Sequence, residues 1–555
     1  MSRSANWLLA CVGGLLLGFS APPAIVPFAE WLVLPGLAVW FVLANSEHTK
    51  LRHSYVYGCI YMAWFSWSVR HVMLPAYLAI VFVGGLYFLL GTAAVRGAPK
   101  RGRSLAFAVA VAGTFWLRAV MPDIYYPHGQ PCHSFWQWPA LMRIVTVGGE
   151  PLMNALLALL AATGVQVWQS WRVAVPQWRP SLLRFAVAIA VTVAAVVTGH
   201  VLGTSVAPPA EAAPEDRSVR IAAIEPGYHP SEVYAAGRHW REAFFDLLEQ
   251  RLIAPTAGLL REQRAAGQDL DLVLWPESSL LDPSIQLSDI ESGRGALLSG
   301  RFPKSDTRLV LGATVEDGDE YGPAALLVEL QHNRILDYQP KQWLVPGGEF
   351  LPLAGLLPKA WADSVRDSFQ KALGTPAHCR PGDARPPMKT AAGVPFGTLL
   401  CYDNAFHGPA ADRVEAGAEF LVVLSNETWY RGGAELTQLV AMTVVRALEN
   451  AVPIVRCTMD GHSVAVDADG RVVAGLSIAP APQSQSRILE VSIERGTGRI
   501  PPMAWLRRTC GSILALFTAF GAAHRAFQWV RIRAARTALS AAVAPGSSGV
   551  SSGGP

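Results

Sequence analysis

Charged residues are scarce in this chain. They make up 16% of its 555 residues, against about 25% in ordinary soluble domains. Together with a mean hydropathy of +0.27, that scarcity excludes a wholly soluble or a disordered protein. The 46 Lys and Arg barely outweigh the 42 Asp and Glu, for a formal net charge of +4. Nucleic-acid binding needs a concentrated basic face, so no nucleic-acid partner is expected. Seven cysteines include no C-x-x-C pair, which excludes a zinc ribbon and a disulfide-stapled mini-domain. His128, His133 and His407 do not fall into H-E-x-x-H, and no G-x-S-x-G elbow occurs. Zinc hydrolysis and serine lipase chemistry are therefore not expected. No internal repeat is visible, and no metal or cofactor is expected.

Apolar runs, by contrast, are abundant and segregated from the charge. They cover Trp7 to Phe19, Ala24 to Ala44, Tyr55 to Ser68, Leu74 to Ala94, Leu105 to Val120, Val147 to Val167, and Phe185 to Val206, with one more from Ile513 to Phe527. Several approach the ~20 residues that span a ~30 Å hydrocarbon core. About eight transmembrane helices are expected, seven within residues 1–206 and one over 505–530. The first run could instead be a signal peptide, which Pro22 and Pro23 beside the would-be cleavage site disfavour. Basic residues crowd alternate loops: Lys50 and Arg52; Arg96, Lys100, Arg101 and Arg103; Arg172, Arg179 and Arg184; and Arg525, Arg531, Arg533 and Arg536 after the last run. Basic loops stay in the cytoplasm, so the long segment between spans seven and eight is expected outside.

That segment opens with an Ala/Pro/Glu linker over 207–218 and continues as a soluble domain over 219–500. Short β-rich runs recur at Val219 to Ile224, Leu270 to Trp275, Leu309 to Thr314, Leu326 to Leu330, Gly397 to Tyr402 and Phe420 to Leu424. Helical stretches are expected at Ser231 to Leu252 and Ala434 to Asn450, and a hairpin around Asp469-Gly470. Strands interleaved with helices read as an α/β domain. The Ser/Gly-rich tail, 541–555, is expected to be disordered.

Three polar residues close or follow apolar strands, where α/β sites commonly lie. They are Glu277 in Leu274-Trp-Pro-Glu277-Ser-Ser279, Lys341 in Tyr338-Gln-Pro-Lys341, and Cys401 in Leu399-Leu-Cys401-Tyr-Asp403. Singly, each has an ordinary explanation: a capping carboxylate, a solvated charge, a small buried hydrophobe.

Together, with the words around them, they resemble the nitrilase superfamily over roughly Val219 to Val491. More narrowly the chain resembles the apolipoprotein N-acyltransferase family, its membrane-bound branch. Lys341-Gln-Trp-Leu344-Val345-Pro346-Gly-Gly348-Glu349 is similar to K-x-x-L-V-P-F-G-E, and Cys401-Tyr402-Asp403 to C-Y-E. Ser425-Asn426-Glu427-Thr428-Trp429-Tyr430 is similar to S-N-D-x-W-F, and Arg446-Ala447-Leu448-Glu449 to R-A-L-E. The resemblance implies an αββα sandwich with Cys401 as nucleophile, Glu277 as general base and Lys341 as electrostatic stabiliser. Glu349 is implied to orient Lys341, Trp429 to lie on a loop over the site, and Asp403 to support it. The chemistry is sound independently of the family. A free thiol near pKa 8.5 needs a base or a cation to become a thiolate, and a donor aimed at a developing oxyanion contributes ~3 kcal/mol.

The resemblance further implies two-step acyl transfer without ATP or metal. Cys401 would take an acyl chain from a phospholipid, typically phosphatidylethanolamine, and pass it to the α-amine of an apolipoprotein's diacylglyceryl-cysteine. The expected location is the bacterial inner membrane, with the catalytic domain periplasmic. Exposing an acyl chain to water costs ~0.8 kcal/mol per CH₂, so the site must open onto the bilayer. The stretch Leu351 to Phe369 reads either as an arm dipping toward the bilayer or as an ordinary packed helix and loop.

Several words depart from the family. Gly347 stands for Phe, Asp403 for Glu, Ile224-Glu225-Pro226-Gly227 for V-Q-G-N, and Met459-Asp460-Gly461 for N-N-G; Glu435-Leu-Thr-Gln438 lacks a Q-H pair. They bear on the acceptor more than on the chemistry. Two other readings stay open: a divergent acyltransferase or amidase like those encoded with conjugal-transfer systems, and a catalytically silent membrane scaffold. A Cys379–Cys457 disulfide also stays open at this point.

Overall fold

The structure is a computed structural model that describes residues 3–24, 26–173, 178–208, 217–229, 232–233, 237–280, 285–292, 298, 301–318, 320–373, 378–477 and 485–542. Most of the expected linker and residues 543–555 of the expected tail lie outside the described residues.

Each apolar run forms a helix: Arg3–Ser20, Val33–Asn45, Leu51–Phe65, Leu74–Gly97, Arg103–Val120, Val145–Val173, Trp178–Thr204 and, far along the chain, Ala504–Ala542. Among the described residues five segments are long and apolar enough to cross a membrane: Leu74–Gly97, Lys100–Val120, Val145–Arg172, Arg179–Thr204 and Ala504–Ala535. The first three helices are shorter. Prolines at 22, 23 and 27 cannot donate a backbone hydrogen bond, and the second run becomes α-helical only from Val33, after a 3₁₀ turn at Ala29–Leu32. Gly149, at φ +68°, breaks the Val145–Val173 helix near its start, a backbone conformation that glycine adopts without strain.

Inside the bundle the Trp40 ring packs against Tyr57, Phe88 and Phe107, and its indole N–H donates to Thr92 at 3.0 Å. The final helix packs against the helices Leu74–Gly97 and Arg103–Val120, where Thr518 Oγ1 donates to the Val109 carbonyl at 3.1 Å. Basic loops gather at one end of the bundle, where Arg103 and Arg525 both reach Glu47, at 2.5 and 3.7 Å. The soluble domain docks at the other.

That domain contains two sheets. The first is built from β1 (Ser218–Glu225), β2 (Leu272–Leu274), β3 (Ile285–Gln286), β4 (Arg308–Asp317), β5 (Glu320–Glu329), β6 (Arg334–Pro340) and β13 (Arg487–Glu494), in the order β13-β1-β2-β4-β5-β6 with β3 beside β4. The second holds β7 (Met388–Lys389), β8 (Pro395–Leu400), β9 (Phe420–Ser425), β10 (Ile454–Thr458), β11 (Val464–Val466) and β12 (Val472–Gly475), in the order β12-β11-β10-β9-β8-β7. β1, β2 and β4 run parallel, as do β8, β9 and β10.

Alternation along the strands sorts the side chains into layers. Ile221 and Ala223 face Phe420, Val422 and Leu424 between the sheets. Ala222 and Ile224 face outward onto the helical segment containing Phe244, Leu248, Leu259 and Leu260. On the other side Leu421 and Val423 meet the helix Glu435–Asn450 through Val440 and Val444, in a core continuous with the membrane helices. The domain is therefore an αββα sandwich whose second helical layer lies against the membrane bundle. The Asp469-Gly470 hairpin is formed by β11 and β12. Of the helix expected over Ser231 to Leu252, residues 231 and 234–236 lie outside the described residues, and an α-helix runs over Trp240–Leu248, after Gly237 at φ +57°.

Candidate active site

Glu277, Lys341 and Cys401 each follow a strand. Glu277 comes just after β2, Lys341 directly follows β6, and Cys401 directly follows β8 and opens the 3₁₀ turn Cys401–Ala405. Gly312 on β4 lets the Glu277 loop approach, since a Cβ there would lie 2.5 Å from the Glu277 Cα. Cys401 has φ +44°, a conformation that costs a non-glycine residue about 1–3 kcal/mol. The sharp strand-to-turn corner leaves Cys401 partly exposed. Gln339, buried on β6, accepts from the Thr398 N–H at 2.7 Å and from its hydroxyl at 2.8 Å. A single side chain thus ties the strand before Lys341 to the strand before Cys401, across the two sheets.

The structure brings the three residues together. The Lys341 ammonium, 1% exposed, donates to Glu277 Oε1 at 2.9 Å and to Glu349 Oε1 at 2.7 Å. Glu349 is itself held by the Val345 N–H at 2.7 Å, through a turn in which Gly347 takes φ +79°. The second Glu277 oxygen accepts the Asn426 N–H at 3.1 Å. Burial alone would push the Lys341 pKa down, but the carboxylates of Glu277 and Glu349 and the nearby Cys401 hold it well above the ordinary lysine value. Burial raises the Glu349 carboxyl, against the lowering pull of Lys341. The Cys401 thiol is pushed up to about 12 by burial and by the Glu277 charge, while Lys341 and a hydrogen bond with Ser425 pull it back. The resting sulfur is a thiol, so reaction requires a base.

Asp403 spends its carboxylate on backbone N–H groups. Its carboxylate accepts the N–H groups of Gln342 and Trp343 at 3.0 and 2.7 Å and of Leu400 at 3.3 Å, clamping the Cys401 turn to the segment just after Lys341. Burial pushes it up to about 6. Trp429 is half-buried on the loop after β9, edge-on to His229 at 5.2 Å.

Sequence reasoning missed Ser425, which donates to Glu427 at 3.1 Å. Glu427 pairs with the fully buried Arg456, placing an ion pair beneath the thiol. It also missed Tyr125, whose hydroxyl reaches from the bundle to the Leu344 carbonyl and whose ring stands edge-on to Trp343 at 5.1 Å. Tyr402, Phe406 and Leu439, with Tyr430 against them, complete an apolar nest around the site.

The Cys379–Cys457 disulfide that the sequence left open is not formed: all seven cysteines are free. Cys457 is buried between the sheets, its sulfur 3.4 Å from the carbonyls of Ile224 and Leu274. Elsewhere, donor atoms of Cys132, His133 and Glu150 lie within 4.8 Å of one another. Arg446, 3.1 Å from Glu150, already supplies a positive charge there.

The carbon-nitrogen hydrolase family profile matches residues 256–481, and that of the apolipoprotein N-acyltransferase N-terminal domain matches residues 13–163. A Shewanella oneidensis protein named apolipoprotein N-acyltransferase is 22% identical over 524 residues, covering 88% of this chain and 91% of its own. One of the same name from Pseudomonas aeruginosa (strain UCBPP-PA14) is 25% identical over 548 residues, covering 93% and 95%. Among solved structures, an amidase from Nesterenkonia sp. aligns at 19% identity over 49% of this chain and 90% of its own, with a TM-score of 0.32.

Proposed function

The chain belongs to the apolipoprotein N-acyltransferase branch of the carbon-nitrogen hydrolase superfamily, and on that premise we propose that Cys401 carries an acyl chain from a membrane phospholipid to the N-terminal amine of a lipoprotein. The observation that carries the reading is a buried ammonium, Lys341, shared by Glu277 and Glu349 beside a partly exposed cysteine. This is a set of groups suited to acyl transfer through a thioester.

The steps follow from the charges. Glu277 accepts the thiol proton as the Cys401 sulfur attacks the ester carbonyl. Lys341 then stabilises the oxyanion, a role worth about 3–4 kcal/mol for a well-placed donor. Collapse breaks the ester C–O bond, and Glu277 returns the proton to the departing lysophospholipid oxygen. In the second half the α-amine of diacylglyceryl-cysteine attacks the thioester, Glu277 takes its proton, and an amide forms as the thiolate leaves and is reprotonated. Phosphatidylethanolamine is the expected donor. The basic loops gather at the end of the bundle away from the soluble domain, which supports an inner-membrane protein with its catalytic domain in the periplasm. Leu356 and Trp361, 79% and 67% exposed, favour the arm reading of Leu351 to Phe369.

The test uses purified protein in detergent, phosphatidylethanolamine labelled in its acyl chain, and a synthetic diacylated lipopeptide. Transfer of label to the peptide amine is expected. Release of free fatty acid only, ammonia release from amides, or no turnover would favour a hydrolase, an amidase or a scaffold respectively.

A further inference from the structure

On the docking side of the bundle the connecting segments 21–32, 66–73 and 121–144 carry just two Arg and no Lys, namely Arg70 and Arg143. Arg143 pairs with Asp469. Arg70 has no carboxylate partner among the described residues. Its guanidinium lies 3.7 Å from the centre of the Trp67 ring, and its Nε donates to His71 Nε2 at 3.4 Å. A basic residue on this side runs against the usual distribution, so topology does not account for it. Trp67 is 51% exposed, an aromatic of the kind that sits at lipid headgroup level.

Facing it is Arg431, exposed, at φ +49°, and likewise without a carboxylate partner among the described residues. The two loops are joined. Ala434 N–H donates to Ser68 Oγ at 3.2 Å, and the Gln438 side chain donates to the Phe65 carbonyl at 3.0 Å. His71 senses both guanidinium groups: burial and the charges of Arg70 and Arg431 push its pKa down. His229, across from Trp429, is lowered by burial and by Arg431. Among the described residues no carboxylate forms an ion pair with either guanidinium. Tyr430, next to Arg431 in the chain, is close enough to Cys401 for the two to interact electrostatically, which places the Arg431 loop beside the thiol.

We infer that Arg70 and Arg431 form a phosphate clamp at the mouth of the site, binding the phosphodiester of the lipid acyl donor and setting its glycerol ester against Cys401. Guanidinium forks suit phosphate oxygens, and a glycerol unit separates phosphate from ester in a phospholipid. The acceptor fits the clamp poorly, since a diacylglyceryl-cysteine has no phosphate and its protonated amine would be repelled. This inference rests on the acyl-donor reading above.

The experiment measures thioester formation by the full-length protein in mixed micelles. The donors are phosphatidylethanolamine and a diacylglycerol with the same acyl chains, with inorganic phosphate as competitor. Wild type is expected to favour the phospholipid. In Arg70→Gln/Arg431→Gln the ratio of kcat/KM for the two donors should fall about tenfold, through KM for the phospholipid, while Arg70→Lys should keep most of it. An unchanged ratio, or equal loss with both donors, overturns the clamp. Inorganic phosphate that binds at these arginines without competing with phosphatidylethanolamine would also overturn it, by assigning the cations to free phosphate. Wild type that labels from the diacylglycerol but from no phospholipid would remove the donor reading and the clamp with it.

Discussion

At Cys401 two opposite charges act on one sulfur: Glu277 raises the thiol pKa and Lys341 lowers it. Glu277→Gln therefore has effects of opposite sign on two readouts. Acyl transfer loses its base and should fall by about 10²–10⁴-fold. The thiol, freed of the neighbouring anion, should titrate below about 12 and react faster with iodoacetamide at pH near ~8. Lys341→Met should slow both reactions. Slower alkylation in Glu277→Gln would contradict the arrangement. These residues were legible because each sits in a local word at a strand end. Gln339 and Arg456 were not, because their partners, Thr398 and Glu427, come from another strand and from the loop after β9, whose placement no local pattern specifies. The role of Asp403 was legible only as support. Its three N–H donors appear once the Cys401 turn and the Lys341 segment are side by side.

At the scale of elements, the helix Glu435–Asn450 and the loop before it join the site to the bundle. Glu435 is fully buried beside Ser68, and burial pushes it up to about 7. Its folded-state pKa exceeds the ~4.3 of an unfolded glutamate, so the penalty for ionising it in place begins above that value and is complete above about 7. Anchoring should weaken as pH rises through this window. Hydrogen exchange over 428–438, corrected for intrinsic rates, should be slower at pH near ~5 than near ~8, and Glu435→Gln should abolish the difference. A difference that persists in the variant would refute the assignment. Several strands were legible from apolar runs; β6, β10 and β13 are absent from the sequence expectations, β13 although Ile488, Glu490 and Ser492 alternate with Leu489, Val491 and Ile493. Its antiparallel place beside β1 is a long-range pairing that composition does not reveal.

For the whole molecule, a buried chain of charge crosses from bundle to catalytic layer. His133 lies 2.7 Å from Glu150, Arg446 lies 3.1 Å from Glu150 and 2.9 Å from Glu449, and His407, at the start of the helix after the Cys401 turn, lies 3.0 Å from Glu449. The word Arg446-Ala-Leu-Glu449 thus has a structural role, coupling the membrane helices to the nucleophile's support. Arg446→Met strands two carboxylates in the interior and should cost about 3–5 kcal/mol, read as a lowered thermal midpoint in detergent. A midpoint within error of wild type would mean that the chain does not couple the layers. Two-part organisation was legible from segregated charge and hydropathy. The docking was not, since its contacts join residues hundreds of positions apart, such as Thr146 and Leu448 at 3.0 Å.

The central claim is that Cys401 accepts an acyl group from lipid. Its most direct measurement is the intact mass of the protein, followed by peptide mapping, after a single exposure to phosphatidylethanolamine without acceptor. A hydroxylamine-sensitive acyl adduct on Cys401, absent in Cys401→Ala, is the predicted result; an unmodified Cys401, or an adduct that survives in Cys401→Ala, would contradict it.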